Sequence, residues 1–328
     1  MDNNGVFVEG IKKTYLINKR ESASFRSAVK SMFRRERSEV CALNGIDMSI
    51  EAGEVRGLIG PNGAGKSTLI KIVSGVLYPT EGQVNVMGYV PWLQRESYVK
   101  HIGVLFGQKS QLWWDLPAID SFYLCKKFYD VNESTYKHNL EYFIDILSIG
   151  DIIAKPVRQL SLGERMKCEF VCALIHDPKL VYLDEPTIGL DMLSKMVIRQ
   201  FIKDVNREKK TTFIVTTHDL GDIEELCPKI TIINRGEKVF DDTADSLRSF
   251  FVNRKTVSIK FSEPVADSNI LDGFSILSKT DTSAEIEIDL DSADLKSEIY
   301  KVFDRLPVQD INISGIGIEK VIEQIYRG

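Results

Sequence analysis

Long apolar runs are missing from this sequence. No window approaches the ~18 consecutive apolar residues that a membrane-spanning helix requires. The first ten residues, MDNNGVFVEG, also lack the basic segment followed by an apolar segment that marks a secretory signal. If the protein takes part in membrane transport, we therefore expect another chain to form the path across the bilayer.

Cysteine is scarce, and neither sign of charge predominates. The five cysteines, at positions 41, 125, 168, 172 and 227, lack the paired spacing of a metal site. Cys168 and Cys172 are one helical turn apart, which we interpret as packing. A reduced, cytosolic setting is the simplest expectation. The net charge is −5, so we expect no overall attraction to nucleic acid or to an anionic membrane.

The order of the apolar segments predicts an α/β protein. Strand-like runs at 180–183, 212–217 and 229–233 are separated by helix-like stretches. This alternation is typical of a parallel sheet with helices on its faces. We expect a helix-rich subdomain at about 115–178.

The pattern changes after a break near 250–255. Apolar and polar residues then alternate at 256–261 and 284–290, as they do in half-buried strands, and helix-like stretches follow each other toward the end. We therefore expect two domains, a larger one at 1–250 and a small α+β domain at 251–328.

The most specific motif is a phosphate-binding loop. Gly60–Thr68, GPNGAGKST, fits the pattern GxxxxGK followed by Ser or Thr, between a strand-like run and a helix-like run. Glycines let backbone N–H groups face phosphates, and a helix N-terminus favours negative charge. Lys66 is predicted to reach the β- and γ-phosphates and Ser67 to ligate Mg²⁺. The alternative is a Gly-rich turn that matches by chance.

Two carboxylates follow the strand-like run at 180–183. A strand end beside a phosphate loop is where a Mg²⁺ ligand is expected, and Asp184 fits this role. Glu185 is then placed to polarise the attacking water as a general base. The alternative is a core strand with a solvated acidic end.

Two further polar residues are candidates for contact with the nucleotide. His218 follows the apolar run 213–217 and is predicted to hydrogen-bond the γ-phosphate, although a histidine there is also compatible with a structural role. Gln108, in FGQKSQL, is a candidate for contact with Mg²⁺ or water, or is a polar loop residue.

The segment Leu160–Arg165, LSLGER, precedes a long amphipathic stretch. Ser161 is predicted to cap the helix, with Glu164 as its reciprocal partner in a capping box. A capped helix start is also an anion site, whereas the alternative is a simple cap.

Taken in order, these motifs resemble the ATP-binding subunit of an ABC transporter. The resemblance implies a P-loop ABC ATPase core with a helical subdomain, and two such subunits closing head-to-tail over ATP. Ser161 and Gly163 would contact the γ-phosphate of the opposite subunit, Asp191 would lie at the dimer seam, and Tyr15 would stack on adenine. The residues that the resemblance implies for ATP binding all lie in these motifs. They are Tyr15, Asn62, Gly63, Gly65, Lys66, Ser67, Thr68, Ser161, Gly163 and Asp191.

The remaining roles implied by the resemblance concern Mg²⁺ and catalysis. Ser67, Gln108 and Asp184 are the expected Mg²⁺ ligands. The expected catalytic residues are Glu185, His218, Lys66 and Gln108.

The signature departs from the usual LSGGQ of this family. Leu162 stands at the first glycine and Glu164 at the glutamine, while the serine and the second glycine are kept. The charge of Glu164 is expected to weaken closure over ATP unless Arg165 or Mg²⁺ offsets it.

A basic insert at 16–40 is the second departure. Tyr15 and Lys66 are 51 positions apart, about twice the separation expected for the family. Residues 19–39 contain seven basic and three acidic side chains and have helical apolar spacing. We hypothesise a basic amphipathic helix near the membrane surface or a permease loop. A surface helix packed on its own domain is the equal alternative.

Short stretches narrow the resemblance to ATPases of type 2 ABC exporters, close to the viologen-exporter-like branch. These are the insert, QKSQLWWDLP at 108–117, the LSLGE signature and GIEKV at 317–321. The resemblance implies a second ATPase subunit, an identical copy, and separate multi-span permease subunits at the cytoplasmic face of the membrane, without nucleic acid. The alternatives are a soluble ABC ATPase acting on ribosomes or DNA, and an ABC importer subunit.

Overall fold

The computed structural model describes residues 5–18, 37–106, 110–217, 219–249, 254–265, 271 and 273–315. Most of the basic insert, Gln108, His218 and the stretch 317–321 lie outside these residues. The chain divides into two compact units, Met1–Asp241 and Asp242–Gly328. Within the described residues, no helix has both the length and the apolar character needed to cross a membrane.

The first unit contains strands and helices in alternation. Its strands are β1 (Val6–Asn18), β2 (Arg37–Ile50), β3 (Val55–Ile59), β4 (Glu81–Val86), β5 (Ile102–Phe106), β6 (Leu180–Asp184), β7 (Thr212–Thr216), β8 (Lys229–Asn234) and β9 (Glu237–Thr243), the last ending just beyond it. Its helices are α1 (Lys66–Val73), α2 (Arg95–Tyr98), α3 (Ala118–Phe128), α4 (Glu133–Leu147), α5 (Leu162–Leu174), α6 (Met192–Lys209) and α7 (Leu220–Leu226). Short 3₁₀ turns lie at Val99–His101 and Val157–Gln159.

A six-stranded sheet in the order β5-β6-β7-β3-β8-β9 organises this unit. The pairs β5–β6, β6–β7, β7–β3 and β3–β8 are parallel. Every residue of β3 and of β7 is buried, as expected for central strands covered on both faces. The α/β prediction is therefore confirmed, and the carboxyl ends of β3, β5, β6 and β7 meet at one edge of the sheet.

A three-stranded antiparallel sheet in the order β2-β1-β4 completes the first unit. Its apolar residues share a core with α1 and with the large sheet, including Ile11, Leu43, Leu69 and Tyr182, all of which are fully buried. This packing fixes β2 beside the phosphate loop, because the loop runs directly into α1.

The second unit is a small α+β fold. Its elements are α8 (Ala244–Ser249), β10 (Arg254–Phe261), β11 (Ser275–Lys279), β12 (Ser283–Asp289), α9 (Leu295–Arg305) and β13 (Val308–Gly315). The strands form an antiparallel sheet in the order β11-β12-β10-β13. Alternate residues of β12, namely Ala284, Ile286 and Ile288, are buried, and Val302 of α9 belongs to the same core.

Candidate functional site

The phosphate loop turns sharply between β3 and α1. Gly63 and Gly65 have φ angles of 82° and 110°, in the region that favours glycine. A Cβ on Gly65 would lie 2.5 Å from the carbonyl oxygen of Ala42 and 2.7 Å from Leu43. Gly65 is also the N-cap of α1, and because glycine has no side chain, the N–H groups of the first turn are left without a side-chain cap. This cradle fits a phosphate group.

Lys66 lies across its own loop. Its Nζ donates hydrogen bonds to the carbonyl oxygens of Gly60 at 2.6 Å and Pro61 at 3.3 Å. Burial lowers the pKa of Lys66, while the charges of Glu185 and Asp184 act in the opposite direction. The ammonium group is therefore held between the loop and the carboxylates at the end of β6.

Asp184 is the last residue of β6, and its carboxylate lies beside the start of α1. Its Oδ2 accepts a hydrogen bond from the Oγ of Ser67 at 3.4 Å, and its Oδ1 accepts one from the Oγ1 of Thr216 at 2.6 Å. A carboxylate beside a hydroxyl is the kind of donor set that Mg²⁺ prefers. Among the described residues, no group of three or more His, Cys, Asp or Glu could hold a metal. Mg²⁺ in nucleotide sites usually takes one or two carboxylates together with phosphate oxygens of its substrate.

Glu185 adopts an uncommon backbone conformation for a residue with a side chain. Its φ angle is 56°, in the left-handed region. Its N–H donates to both the carbonyl oxygen of Thr216, at 3.0 Å, and the Oγ1 of Thr216, at 3.1 Å. Such conformations persist when the surroundings hold them, and they are frequent at functional sites. The chain thus leaves β6 at Glu185 in a direction fixed by β7.

The sequence predictions did not include Thr216, which is fully buried at the end of β7. It pairs with Asp184 in the parallel register of β6 and β7. The available signal was the apolar run 212–217, because parallel neighbouring strands place their last residues side by side.

The predicted capping box at the start of α5 is confirmed. The N–H of Glu164 donates to the Oγ of Ser161 at 3.2 Å, and the N–H of Ser161 donates to the Oε2 of Glu164 at 2.8 Å. These bonds lower the pKa of Glu164, with smaller contributions from Lys155 and Lys167. The carboxylate of Glu164 is therefore occupied by its own helix start.

The side chain of Arg165, which with Mg²⁺ is one of two candidates for offsetting the charge of Glu164, packs against an aromatic ring. Its guanidinium lies 5.7 Å from the ring centroid of Trp114, in a cation–π arrangement. The contributions that lower the pKa of Glu164 come from its cap and, more weakly, from Lys155 and Lys167.

Asp191 caps α6 and lies close to the signature. Its carboxylate accepts hydrogen bonds from the N–H of Ser194 at 3.0 Å and from the Oγ of Ser194 at 2.6 Å. A Cβ on Gly163 would overlap Ser194, and one on Gly189 would lie 3.3 Å from Leu162. The signature and the Asp191 turn thus form one surface.

The other sequence-predicted positions are placed individually. Tyr15 lies in β1, pairs with Val40, and has the ammonium of Lys13 5.3 Å from its ring centroid. Asn62 is exposed on the phosphate loop, and Thr68 is in the first turn of α1. Gln108 and His218 lie outside the described residues.

A parallel sheet with a Gly-rich loop and a carboxylate at one edge defines a P-loop nucleotide-binding core. The sequence family described as "ABC transporter" matches residues 43–188. The chain is 32% identical over 215 residues to the ABC transporter ATP-binding protein NatA of Bacillus subtilis (strain 168), which covers 66% of this chain and 87% of that protein. It is 33% identical over 215 residues to the lantibiotic transport ATP-binding protein SrtF of Streptococcus pyogenes. This match covers 65% of this chain and 90% of SrtF.

A solved structure, described as the ATP-binding subunit of an ABC transporter, has the same fold. It superposes with a TM-score of 0.60 at 24% identity and covers 75% of this chain and 92% of that one. The chain belongs to the ABC transporter ATP-binding proteins, and it is an ABC ATPase subunit that binds ATP.

Proposed function

We propose that this chain is the ATP-hydrolysing subunit of a type 2 ABC exporter in the viologen-exporter-like branch. It works at the cytoplasmic face of the membrane as a dimer of identical copies, attached to separate multi-span permease subunits and without nucleic acid. Residues 1–250 form the ATP-binding domain and 251–328 a small accessory domain. The relation to a lantibiotic transport protein supports transport, and the LSLGE signature supports the finer assignment.

One observation carries the catalytic part of this proposal. Ser67, Asp184 and Thr216 form a chain of hydrogen bonds that joins the phosphate loop to the ends of β6 and β7. Through it, the start of α1 and the Asp184 carboxylate lie side by side, and the charges of Asp184 and Glu185 both act on Lys66. Phosphoryl transfer relies mainly on such positioning and on electrostatics.

Each residue then has a defined task. The loop N–H groups and Lys66 bind and neutralise the phosphates, and Ser67 and Asp184, with Gln108, hold the metal. Mg²⁺ supplies charge neutralisation at the transferred phosphoryl group. Glu185 accepts a proton from the attacking water, and His218 holds that water in line.

The second half of the site comes from the other copy. Ser161 and Gly163 meet the γ-phosphate bound by the opposite phosphate loop, while Asp191 lies at the seam and Tyr15 stacks on adenine. The single surface formed by the signature and the Asp191 turn supports this arrangement, because both would face the partner together.

The first test is capture of tagged Glu185→Gln protein from detergent-solubilised native membranes with Mg·ATP. Stoichiometric multi-span membrane proteins are expected to co-purify, and phosphate release by the unmodified chain is expected alongside. Capture of ribosomes or DNA-bound proteins without a membrane protein would overturn the transporter assignment. Reconstituting the same membrane proteins with the unmodified chain in vesicles distinguishes export from import by the direction of ATP-dependent transport.

A further inference from the structure

A fully buried carboxylate lies next to the proposed catalytic residues, and the roles proposed above do not use it. Asp222 of α7 is 0% exposed. Its carboxylate accepts hydrogen bonds from the Nε of Arg199 at 2.7 Å, from the Oγ1 of Thr217 at 3.0 Å, and from the Oγ1 of Thr187. These three donors come from three separate segments of the chain.

Two of the donors follow the strands that end at the site. Thr187 is two residues after Glu185, and Thr217 is the last residue before His218. Both threonines are almost completely buried, at 2% and 1% exposure. One carboxylate thus fixes the segment that leaves β6 and the segment that leaves β7.

The third donor connects the same carboxylate to α6. Arg199 is 5% exposed and also donates to the Oδ1 of Asp219 at 3.2 Å and to the Oε1 of Glu225 at 2.9 Å. Because Asp191 caps α6, the network reaches the helix that carries the proposed seam residue.

The turn held by Thr187 begins at a strained residue. Glu185 has its φ angle of 56°, and its carbonyl oxygen accepts a hydrogen bond from the N–H of Ile188 at 3.3 Å. A left-handed conformation at a residue with a side chain is unfavourable and must be imposed by its surroundings. Thr216 holds the N–H of Glu185, and Asp222, through Thr187, holds the turn that follows it.

We propose that Asp222 is a positioning residue for ATP hydrolysis. Through the Thr187 and Thr217 hydroxyls, it sets the direction of the Glu185 backbone relative to the chain leading into His218. This inference rests on the proposed role of Glu185. A buried ion pair is by itself weak support for stability, so conformational specificity is the role argued here for the network.

The chain contains a matched control for this network. On β8, the Oγ1 of the fully buried Thr231 donates to Asp241 at 2.8 Å and accepts from the Nη1 of Arg56 at 3.1 Å. This is again a threonine, a carboxylate and an arginine, but the segments it joins do not carry a proposed catalytic residue.

The test compares Thr187→Val, Thr187→Ser and Thr231→Val in the full-length protein. Valine removes the hydroxyl at nearly constant shape, and serine keeps it. Steady-state phosphate release gives kcat and KM, and thermal unfolding gives Tm. We expect Thr187→Val to lower kcat about ten-fold or more with little change in KM, because small misplacements of catalytic groups have effects of this size. Serine should restore most of kcat, and Thr231→Val should lower Tm without a comparable loss of kcat.

The outcomes separate the two proposals. If the unmodified protein is folded and binds ATP but releases no phosphate, the proposed function fails, and the role of Asp222 fails with it. If the unmodified protein turns over and the two valine variants lose kcat equally, only the positioning role is overturned. Failure of Thr187→Ser to rescue kcat would likewise assign the threonine to packing alone.

Discussion

The Oγ1 of Thr216 lies 2.6 Å from the Oδ1 of Asp184, at the carboxyl ends of two adjacent parallel strands. The same hydroxyl accepts the N–H of Glu185 at 3.1 Å. One buried threonine therefore orients the proposed metal ligand and also anchors the backbone of the proposed general base. A change at this hydroxyl is expected to affect metal use and proton transfer together.

Replacing Thr216 with valine should lower phosphate release and raise the Mg²⁺ concentration needed for half-maximal activity. Ligand-orienting partners of a metal site typically contribute about 10- to 100-fold in affinity or activity, and we expect an effect at the lower end of that range. The measurement is a Mg²⁺ titration of phosphate release at saturating ATP. Thr216→Ser should retain most of the activity.

Thr212→Val is the control on the same strand. Its hydroxyl accepts the N–H of Gly53 at 2.8 Å at the opposite end of β7, so its loss should cost about 1 kcal/mol of stability without changing the Mg²⁺ requirement. An equal shift in the two variants would show that Thr216 acts only through the stability of the strand.

The sequence predicted those parts of the site whose geometry is local. The cap of Ser161 with Glu164 spans three residues, and the phosphate loop is continuous in the chain, so residue type and spacing were sufficient. Thr216 joins Asp184 across 32 residues and Thr187 joins Asp222 across 35, through the register of strands and the packing of α7. Contacts between residues so far apart in the sequence have no characteristic spacing by which they could be predicted. In addition, a threonine in an apolar strand has the sequence pattern of an ordinary core residue.

Changing Glu185 to glutamine should abolish turnover while ATP binding is retained. Glutamine keeps the size and the backbone conformation but cannot accept a proton at neutral pH, so only the chemical step is affected. Binding of a fluorescent ATP analogue and phosphate release are measured on the same preparation. Lys66→Ala is the comparison, because it should lose binding as well. Normal turnover by Glu185→Gln would refute the general-base assignment.

In the LSLGE signature, the effect of the helix cap at Ser161 and the effect of the charge at Glu164 can be tested by separate substitutions. Ser161→Ala removes the cap of α5, which costs about 1 kcal/mol, and also removes the proposed contact with the γ-phosphate. Asn132→Ala removes a cap of the same kind at α4, where the Asn132 side chain accepts from the N–H of Thr135 at 2.8 Å. Turnover should fall much further in Ser161→Ala than in Asn132→Ala.

Glu164→Gln should keep the capping box, because glutamine also serves at this position. It removes the negative charge of the Glu164 carboxylate, whose pKa is lowered by the cap. Because this charge is expected to oppose closure over ATP, ATP-dependent dimerisation should strengthen. Dimerisation is measured by light scattering across an ATP titration. An unchanged midpoint would show that the carboxylate is too well neutralised by its own helix start to affect the phosphates.

The buried side chain of His176 is expected to make the free energy of unfolding depend on pH. Its Nε2 donates to the carbonyl oxygen of Ile102 at 2.9 Å, its ring is stacked 3.7 Å from that of Tyr129, and its buried Nδ1 has no partner within the described part of the chain. Burial lowers the pKa of His176 from 6.5 to about 4. The folded state therefore binds fewer protons than the unfolded state, so this contribution is complete above pH 6.5 and is lost as the pH falls toward 4.

Between pH 7 and pH 5, the difference in proton binding corresponds to about 2 kcal/mol of unfolding free energy. His176→Phe keeps a ring against Tyr129 but does not titrate, so the variant should lose about 2 kcal/mol less stability than the parent over this interval. Urea unfolding at pH 7 and pH 5 measures this loss of stability for the variant and the parent. The hydrogen bond to Ile102 that the variant lacks lowers its unfolding free energy equally at both pH values, so it does not affect the comparison. His138→Phe, at an exposed position of α4, should lose stability with pH as the parent does. If His176→Phe followed the parent as well, the buried imidazole would have to bind its proton in the folded state as readily as in the unfolded one.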